Sequence, residues 1–140
     1  MQKLPCILLI DDDQTTNYLN RKLLEKLDVS DKILVALNGQ EAIDLLLTEC
    51  QEVGGDCPVL ILLDVKMPIM NGFEFLEAYT RLSLAQQETI IIVMLTTSLH
   101  PQDVKRLEEL PIAGFLSKPL TKEKVGDILQ THFNRALFTE

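Results

Sequence analysis

The segment Val59-Leu-Ile-Leu-Leu-Asp64 decides the fold of this chain, because five apolar residues end abruptly in a carboxylate. A second apolar segment, Cys6-Ile-Leu-Leu-Ile10, ends in the same way, in Asp11, Asp12 and Asp13. Such runs are typical of buried parallel strands whose carboxyl ends meet solvent. Because these ends share one edge of a sheet, the pattern predicts a cluster of repelling carboxylates. A hard divalent cation with oxygen ligands would relieve that repulsion.

Composition narrows the class of protein. The 140 residues suffice for one domain with a substantial core, and the net charge of -8 argues against direct DNA binding. No apolar run approaches the roughly 18 residues that a membrane span needs. Three cysteines, Cys6, Cys50 and Cys57, form no CxxC pair. We interpret them as reduced, buried thiols of a cytoplasmic protein.

Short apolar runs alternate with amphipathic stretches along the whole chain. Helically spaced apolar stripes beginning at Leu19, Ala42, Phe73, Val104 and Val125 predict five helices. Apolar runs predict five strands, at Cys6–Ile10, Lys32–Leu37, Val59–Leu63, Ile90–Leu95 and Gly114–Ser117. The alternation predicts a parallel sheet covered by helices on both faces. We expect residues 1–140 to form one domain, with a core between about residues 5 and 133 and no output domain.

The residues that follow the strands form one chemical set. In open α/β sheets, ligands bind at the carboxyl ends of the strands. These ends carry Asp11, Asp12 and Asp13 after strand 1, Asp64 after strand 3, Thr96, Thr97 and Ser98 after strand 4, and Lys118 after strand 5. Carboxylates, hydroxyls and an ammonium group are the groups that phosphoryl transfer needs.

Four motifs carry a resemblance to a known family. They are Ile10-Asp-Asp12, Leu63-Asp-Val-Lys-Met-Pro-Ile-Met-Asn-Gly72, Leu95-Thr-Thr-Ser98 and Gly114-Phe-Leu-Ser-Lys-Pro119. Together they resemble the CheY-like receiver domain of two-component response regulators, over essentially the whole chain. The resemblance implies a flavodoxin-like (βα)5 fold, a doubly wound parallel sheet with strand order 2-1-3-4-5.

The resemblance also implies roles for the acidic residues. Asp64 resembles the phosphorylation site, which accepts a phosphoryl group from a sensor histidine kinase or a histidine phosphotransfer protein. Asp11 and Asp12, together with Asp64 and the backbone carbonyl of Lys66, resemble a Mg²⁺ site that could also take Mn²⁺. Asp13 matches no metal ligand of the family, and we predict that it caps the first helix.

Other positions match the family's switch residues. Thr96 resembles the hydroxyl that moves to the phosphoryl group, and Lys118 the lysine that pairs with it. Thr97 borders the same group and narrows access for small donors. Phe115 occupies the switch-aromatic position. Pro119 implies a cis peptide bond after Lys118.

Two positions match those at which the family tunes dephosphorylation. They are Lys66 and Ser98. A lysine beside the acyl phosphate can pair with phosphoryl oxygens and exclude the attacking water, so Lys66 predicts a phosphoryl lifetime longer than that of the fastest chemotaxis-type regulators. Gly72 predicts either a close approach or a positive φ in the loop after Asp64.

The predicted function is that of a stand-alone receiver and not of a classical enzyme. Phosphorylation at Asp64 would switch a surface formed by helix 4, strand 5 and helix 5, which binds an unknown downstream protein. A homodimer through the helix 4–helix 5 face is a further expectation. One alternative is a pseudo-receiver that only binds partners. Another is a haloacid-dehalogenase-type phosphatase, because Asp11-Asp-Asp-Gln-Thr15 satisfies D-x-D-x-T; that reading leaves Asp64 unexplained.

Overall fold

Five strands alternate with five α-helices in the structure, a computed structural model that describes residues 3–51, 56–84, 87–97 and 101–135. The strands are β1 Leu4–Ile10, β2 Ser30–Ala36, β3 Leu60–Asp64, β4 Ile91–Thr96 and β5 Gly114–Ser117. The helices are α1 Gln14–Leu27, α2 Gly39–Glu49, α3 Gly72–Thr80, α4 Pro101–Leu107 and α5 Lys122–Phe133. Every predicted strand agrees with the observed one to within two residues at each end.

The strands form one parallel sheet in the order β2-β1-β3-β4-β5. This confirms the predicted flavodoxin-like fold and its 2-1-3-4-5 order. Every residue of β3 is buried, as expected for a central strand covered on both faces. The carboxyl edge of the sheet is therefore supported by a central strand that is buried along its whole length.

A hydrophobic core lies on each face of the sheet, because successive strand residues point to opposite faces. Leu8 and Ile10 of β1 pack with apolar residues of α2, α3 and α4. Ile7 and Leu9 pack with those of α1 and α5. Burying each such side chain contributes about 1.5–3 kcal/mol. Three helices thus cover one face and two cover the other, and the carboxyl edge of the sheet stays accessible.

Side-chain caps set the helix starts at this edge. Asp13 caps α1, since its Oδ1 accepts a hydrogen bond from the Thr15 backbone N–H at 3.0 Å, which confirms the predicted cap. Asn71 and Glu74 form a reciprocal capping box at the start of α3, with hydrogen bonds of 2.9 and 3.1 Å. These caps fix where the chain leaves β1 and where α3 begins after β3.

The predicted apolar stripe of α1 was wrong at its first position. Leu19 is 59% exposed, whereas the buried residues of this helix are Asn17 and Leu24. These two residues are seven positions apart, or about two helical turns, and so share a face. The buried face of α1 therefore begins with a polar residue, which a search for apolar spacing passes over.

The prediction that all three cysteines are reduced was also wrong. Cys50, which ends α2, forms a disulfide with Cys57, which precedes β3, while Cys6 is a buried free thiol. The return of the chain from α2 to β3 brings the Cα atoms of the pair to 4.7 Å. A spacing rule such as CxxC does not detect cysteines that a loop brings together.

No helix in the described parts of the chain combines the length and apolar character that a membrane crossing requires.

Candidate functional site

The strand register brings the acidic residues together. Ile10 of β1 pairs with Leu63 of β3, so Asp11 and Asp64 are the next residues along neighbouring strands. One carboxylate oxygen from each of Asp11, Asp12 and Asp64 lies within 4.8 Å of the other two. The cluster predicted from the two strand ends is therefore present at the carboxyl edge of the sheet.

Lys118 lies against two of these carboxylates. Its Nζ donates to Asp11 Oδ2 at 2.8 Å and lies 3.0 Å from Asp64 Oδ1. The three carboxylates of the cluster and this ammonium group leave two uncompensated negative charges. A divalent cation carries the opposite charge, and carboxylate oxygens are the ligands that Mg²⁺ prefers. The residues present therefore fit a magnesium site.

Burial and the contacts between the lysine and the carboxylates shift the pKa values of Asp64 and Lys118 in opposite directions. Burial, followed by repulsion from Asp11, raises the pKa of the Asp64 carboxyl, and the hydrogen bond from Lys118 only partly offsets this. Burial lowers the pKa of the Lys118 ammonium, but its bonds to Asp11 and Asp64 outweigh burial and leave that pKa above the ordinary value. The site therefore favours a charged lysine and strains the ionised form of Asp64, which a cation would stabilise.

Strand β4 delivers the hydroxyl group to the same edge. Thr96 follows the residue that pairs with Asp64, and its backbone carbonyl accepts from the Lys118 N–H at 2.8 Å. Thr96 is buried and Thr97 is exposed, so the two threonines occupy different environments. Ser98 lies outside the described residues.

The remaining predicted residues lie on β5 and just after it. Phe115 pairs in register with Met94 of β4, and its side chain is 48% exposed beside Ile128 and His132 of α5. The peptide bond between Lys118 and Pro119 is cis. Phe115 is thus about half exposed to solvent in this structure.

The loop after β3 folds back tightly on its own start. The Gly72 N–H donates to the Val65 carbonyl at 2.8 Å. A Cβ atom at Gly72 would lie 2.5 Å from the backbone oxygen of Asp64, closer than atoms approach in folded proteins. Glycine is therefore required here by close approach, the first of the two predicted reasons.

Lys66 lies on the outer side of this loop. It is exposed and lines a cleft of about 390 Å³ together with Asp12 and Asn71. The cleft adjoins the acidic cluster through Asp12. Lys66 is therefore close to the carboxylates without being buried among them.

Two features of the site were not predicted. Buried Asn17 donates through Nδ2 to the Asp11 carbonyl at 2.7 Å and so braces the strand end. The Gly39 N–H at the start of α2 donates to the Met70 carbonyl at 3.0 Å, which ties α2 to the loop after Asp64. Asn17 lies seven residues before the apolar Leu24, and this helical spacing could have indicated that Asn17 is buried near the end of β1. The second joins residues far apart in sequence, and no local pattern marks it.

Comparison with known proteins agrees with this geometry. The sequence profile of the response regulator receiver domain matches residues 7–130. The chain belongs to this family. Two-component response regulator 24 of Arabidopsis thaliana is 30% identical over 122 residues, which are 87% of this chain and 79% of that protein. A two-component response regulator from Cytophaga hutchinsonii superimposes with a TM-score of 0.83 at 27% identity, covering 96% of this chain and 100% of its own.

Some relatives are much longer than this receiver domain. The transcriptional regulatory protein CpxR of Escherichia coli K12 is 31% identical over 134 residues, which are 96% of this chain but only 51% of CpxR. Receiver domains of two-component systems are signalling phosphoacceptors that histidine kinases or phosphotransfer proteins phosphorylate, and they bind Mg²⁺ in an acidic pocket. The cluster of Asp11, Asp12 and Asp64 is compatible with such a pocket.

Proposed function

We propose that Asp64 is the phosphorylation site of this receiver domain and that Mg²⁺ binding is required for the transfer. The observation that supports this most strongly is that the Asp64 carboxylate lies within 4.8 Å of those of Asp11 and Asp12 and 3.0 Å from the Lys118 ammonium. Asp11, Asp12, Asp64 and the backbone carbonyl of Lys66 would hold the cation. When bound, Mg²⁺ supplies positive charge against the phosphoryl oxygens.

The chain's own residues orient and stabilise the transfer. A carboxylate oxygen of Asp64 attacks phosphorus, and the bond from phosphorus to the donor histidine nitrogen breaks as the new bond to oxygen forms. The Lys118 ammonium, already 2.8–3.0 Å from both carboxylates, can follow the new charge and pair with a phosphoryl oxygen. The Thr96 hydroxyl is the second donor, and Thr97 limits access to the group.

The phosphoryl group then biases a two-state surface. Movement of Thr96 toward the phosphoryl group would free space behind it, and Phe115, which is half exposed, would turn inward. The face formed by α4, β5 and α5 would then bind a downstream protein. Dimerisation of two copies through α4 and α5 belongs to the same proposal.

We further propose that Lys66 and Ser98 tune the lifetime of the phosphoryl group. Lys66 is exposed beside the acidic cluster, so its ammonium can reach the phosphoryl oxygens and exclude the attacking water. Substitution Lys66→Asn should therefore accelerate loss of phosphate, measured as the decay of the phosphorylated mass after removal of the donor. Slower decay in the variant would contradict this role.

The source of the phosphoryl group indicates the cellular compartment of this receiver. We propose a stand-alone receiver in the cytoplasm, the compartment that holds the ATP from which histidine kinases take the group.

Intact-mass spectrometry tests the proposal. The chain is incubated with acetyl phosphate, with Mg²⁺ or with a chelator, and compared with Asp64→Asn. We expect a gain of one phosphate in the wild type with Mg²⁺ and no gain in the variant or with the chelator. Lack of any gain, together with lack of Mg²⁺-dependent beryllofluoride binding, would instead support a pseudo-receiver.

A further inference from the structure

A second chemical site lies at the opposite end of the sheet from the acidic cluster. Cys50 and Cys57 form a disulfide there, and Cys57 is seven residues before Asp64 on the segment that becomes β3. At about 3.3 Å per strand residue, the two sites are roughly 20 Å apart. All three cysteines of the chain belong to this end, because Cys6 accepts through its carbonyl from the Val59 N–H at 3.0 Å.

The residues beside the disulfide also join the carboxyl end of α2 to the segment that precedes β3. The Asp56 N–H donates to the Glu49 carboxylate at 3.1 Å, so the neighbours of Cys50 and Cys57 are also joined. Lys32 of β2 forms an ion pair with the Asp56 carboxylate. The carboxyl end of α2 is therefore tied to the start of β3 by one covalent bond and by polar contacts.

The amino end of α2 is tied to the other end of the same strand. The Gly39 N–H donates to the carbonyl of Met70, which is six residues after Asp64. A Cβ atom at Gly39 would lie 2.7 Å from Met70 Cγ, so no gap separates the helix from the loop. Helix α2 thus spans the distance between the disulfide and the loop that follows Asp64.

We propose that Cys50 and Cys57 form a thiol–disulfide site, opened by a dithiol reductant and closed by a disulfide oxidant, whose state sets how firmly α2 holds the loop after Asp64. The functional part of this proposal rests on the phosphoacceptor role of Asp64. Disulfides that form in a reducing compartment are usually transient, catalytic or redox-sensing, which fits a cytoplasmic receiver.

The exchange is a two-electron reaction between the pair and one dithiol. A thiolate of the reductant attacks the sulfur of Cys57, which is 6% exposed whereas Cys50 is fully buried, and the Cys50 thiolate leaves and takes up a proton. The second thiol of the reductant then attacks the mixed disulfide and releases the Cys57 thiol. The reductant ends as a cyclic disulfide, and oxidation reverses each step.

Cys6 does not compete in this reaction. Burial raises the pKa of its thiol to about 11, and the charge of Asp56 acts in the same direction. The thiolate is the reactive form, so Cys6 stays inert near neutral pH. The site therefore has two states, open and closed, without exchange of partners.

The test compares the oxidised and reduced forms of the wild-type chain. Alkylation in denaturant followed by intact-mass spectrometry should label one cysteine after treatment with oxidised dithiothreitol and three after reduced dithiothreitol. Hydrogen exchange of the Gly39 amide should be about fivefold faster in the reduced form. Phosphorylation by acetyl phosphate with Mg²⁺ should be slower by a similar factor.

Two variants serve as controls. Cys6→Ala should keep the redox response, whereas Cys50→Ala with Cys57→Ala should behave as the reduced form under both conditions. Three labelled thiols after oxidation would overturn the site, and this outcome needs no variant to fold. Equal Gly39 exchange in the two forms would overturn the link to the loop. Absence of phosphorylation in every form would count against the proposed function alone, because thiol labelling and hydrogen exchange do not depend on it.

Discussion

Asp64 is the residue at which stability and the proposed function conflict. Asp64 is 9% exposed and lies beside Asp11, and burial together with the charge of Asp11 raises the pKa of its carboxyl, so ionisation costs more in the folded chain than in the unfolded one. At about 4 Å, two like charges repel by roughly 1 kcal/mol in water and more in a protein. This cluster of carboxylates therefore destabilises the folded chain when no cation compensates its charge.

Replacing this carboxylate with a neutral amide should relieve that cost. Without Mg²⁺, Asp64→Asn should raise the free energy of unfolding by on the order of 1 kcal/mol near neutral pH, measured by urea denaturation with a chelator. Because the pKa of Asp64 is raised on folding, the wild-type chain loses stability as pH rises from the ordinary carboxyl pKa through the raised one. The difference from the variant should vanish when pH falls below that window.

A matched control is Asp13→Asn, the same chemical change at an exposed residue outside the cluster. Asn caps helices as well as Asp, so α1 should be unaffected. A variant at Asp64 that is no more stable than the wild type would contradict the account of repulsion at this site.

The loop between β3 and α3 is the element that positions Asp64. Gly72 leaves no room for a side chain against the Asp64 carbonyl, and Gly39 leaves little against Met70. The loop is thus fixed by two close backbone approaches. Ile69, at its tip, is 79% exposed with φ of 69°, a conformation that β-branched residues rarely adopt.

The close approach at Gly72 gives a direct test of this element. Gly72→Ala should destabilise the chain by about 1–3 kcal/mol, because the added Cβ forces the loop away from Asp64. Gly114→Ala is the matched control, since nothing lies within 4 Å of its added Cβ. Thermal or urea unfolding measures both variants. Equal stabilities would show that the approach at Gly72 does not constrain the loop.

Sequence patterns predicted the elements well wherever burial decides the structure. The apolar run Val59–Leu63 predicted a central strand, and Asp13 was predicted to cap α1. The apolar stripe of α1 was wrong at Leu19 because polar Asn17 takes the buried position to brace the Asp11 carbonyl. A search for apolar spacing records which residues are apolar, but it does not record a polar side chain that is buried to bond the backbone.

At the scale of the whole molecule, some contacts join residues that only the complete fold brings together. The strand order was expected from the family resemblance, and the acidic cluster from the shared edge of the sheet. The disulfide was missed, because Cys50 and Cys57 meet only when α2 returns to β3. Residue spacing alone could not predict that pairing.

This crosslink should contribute to global stability. Closing a loop of this length is expected to stabilise the folded state by roughly 2–3 kcal/mol, mainly by restricting the unfolded chain. Urea unfolding of the oxidised and reduced chain should therefore differ by about that amount. The Cys6→Ala variant should show the same difference, since Cys6 is outside the bond. Coincident unfolding curves would mean that the disulfide does not stabilise the folded chain.

The central claim is that Asp64, and no other carboxylate of the cluster, accepts the phosphoryl group. The most direct measurement is reduction of the phosphorylated chain with borohydride, which converts an aspartyl phosphate to homoserine, followed by peptide mass spectrometry. We predict homoserine at position 64 alone. Homoserine at Asp11, the nucleophile that the D-x-D-x-T alternative requires, or at Asp12, would contradict the account.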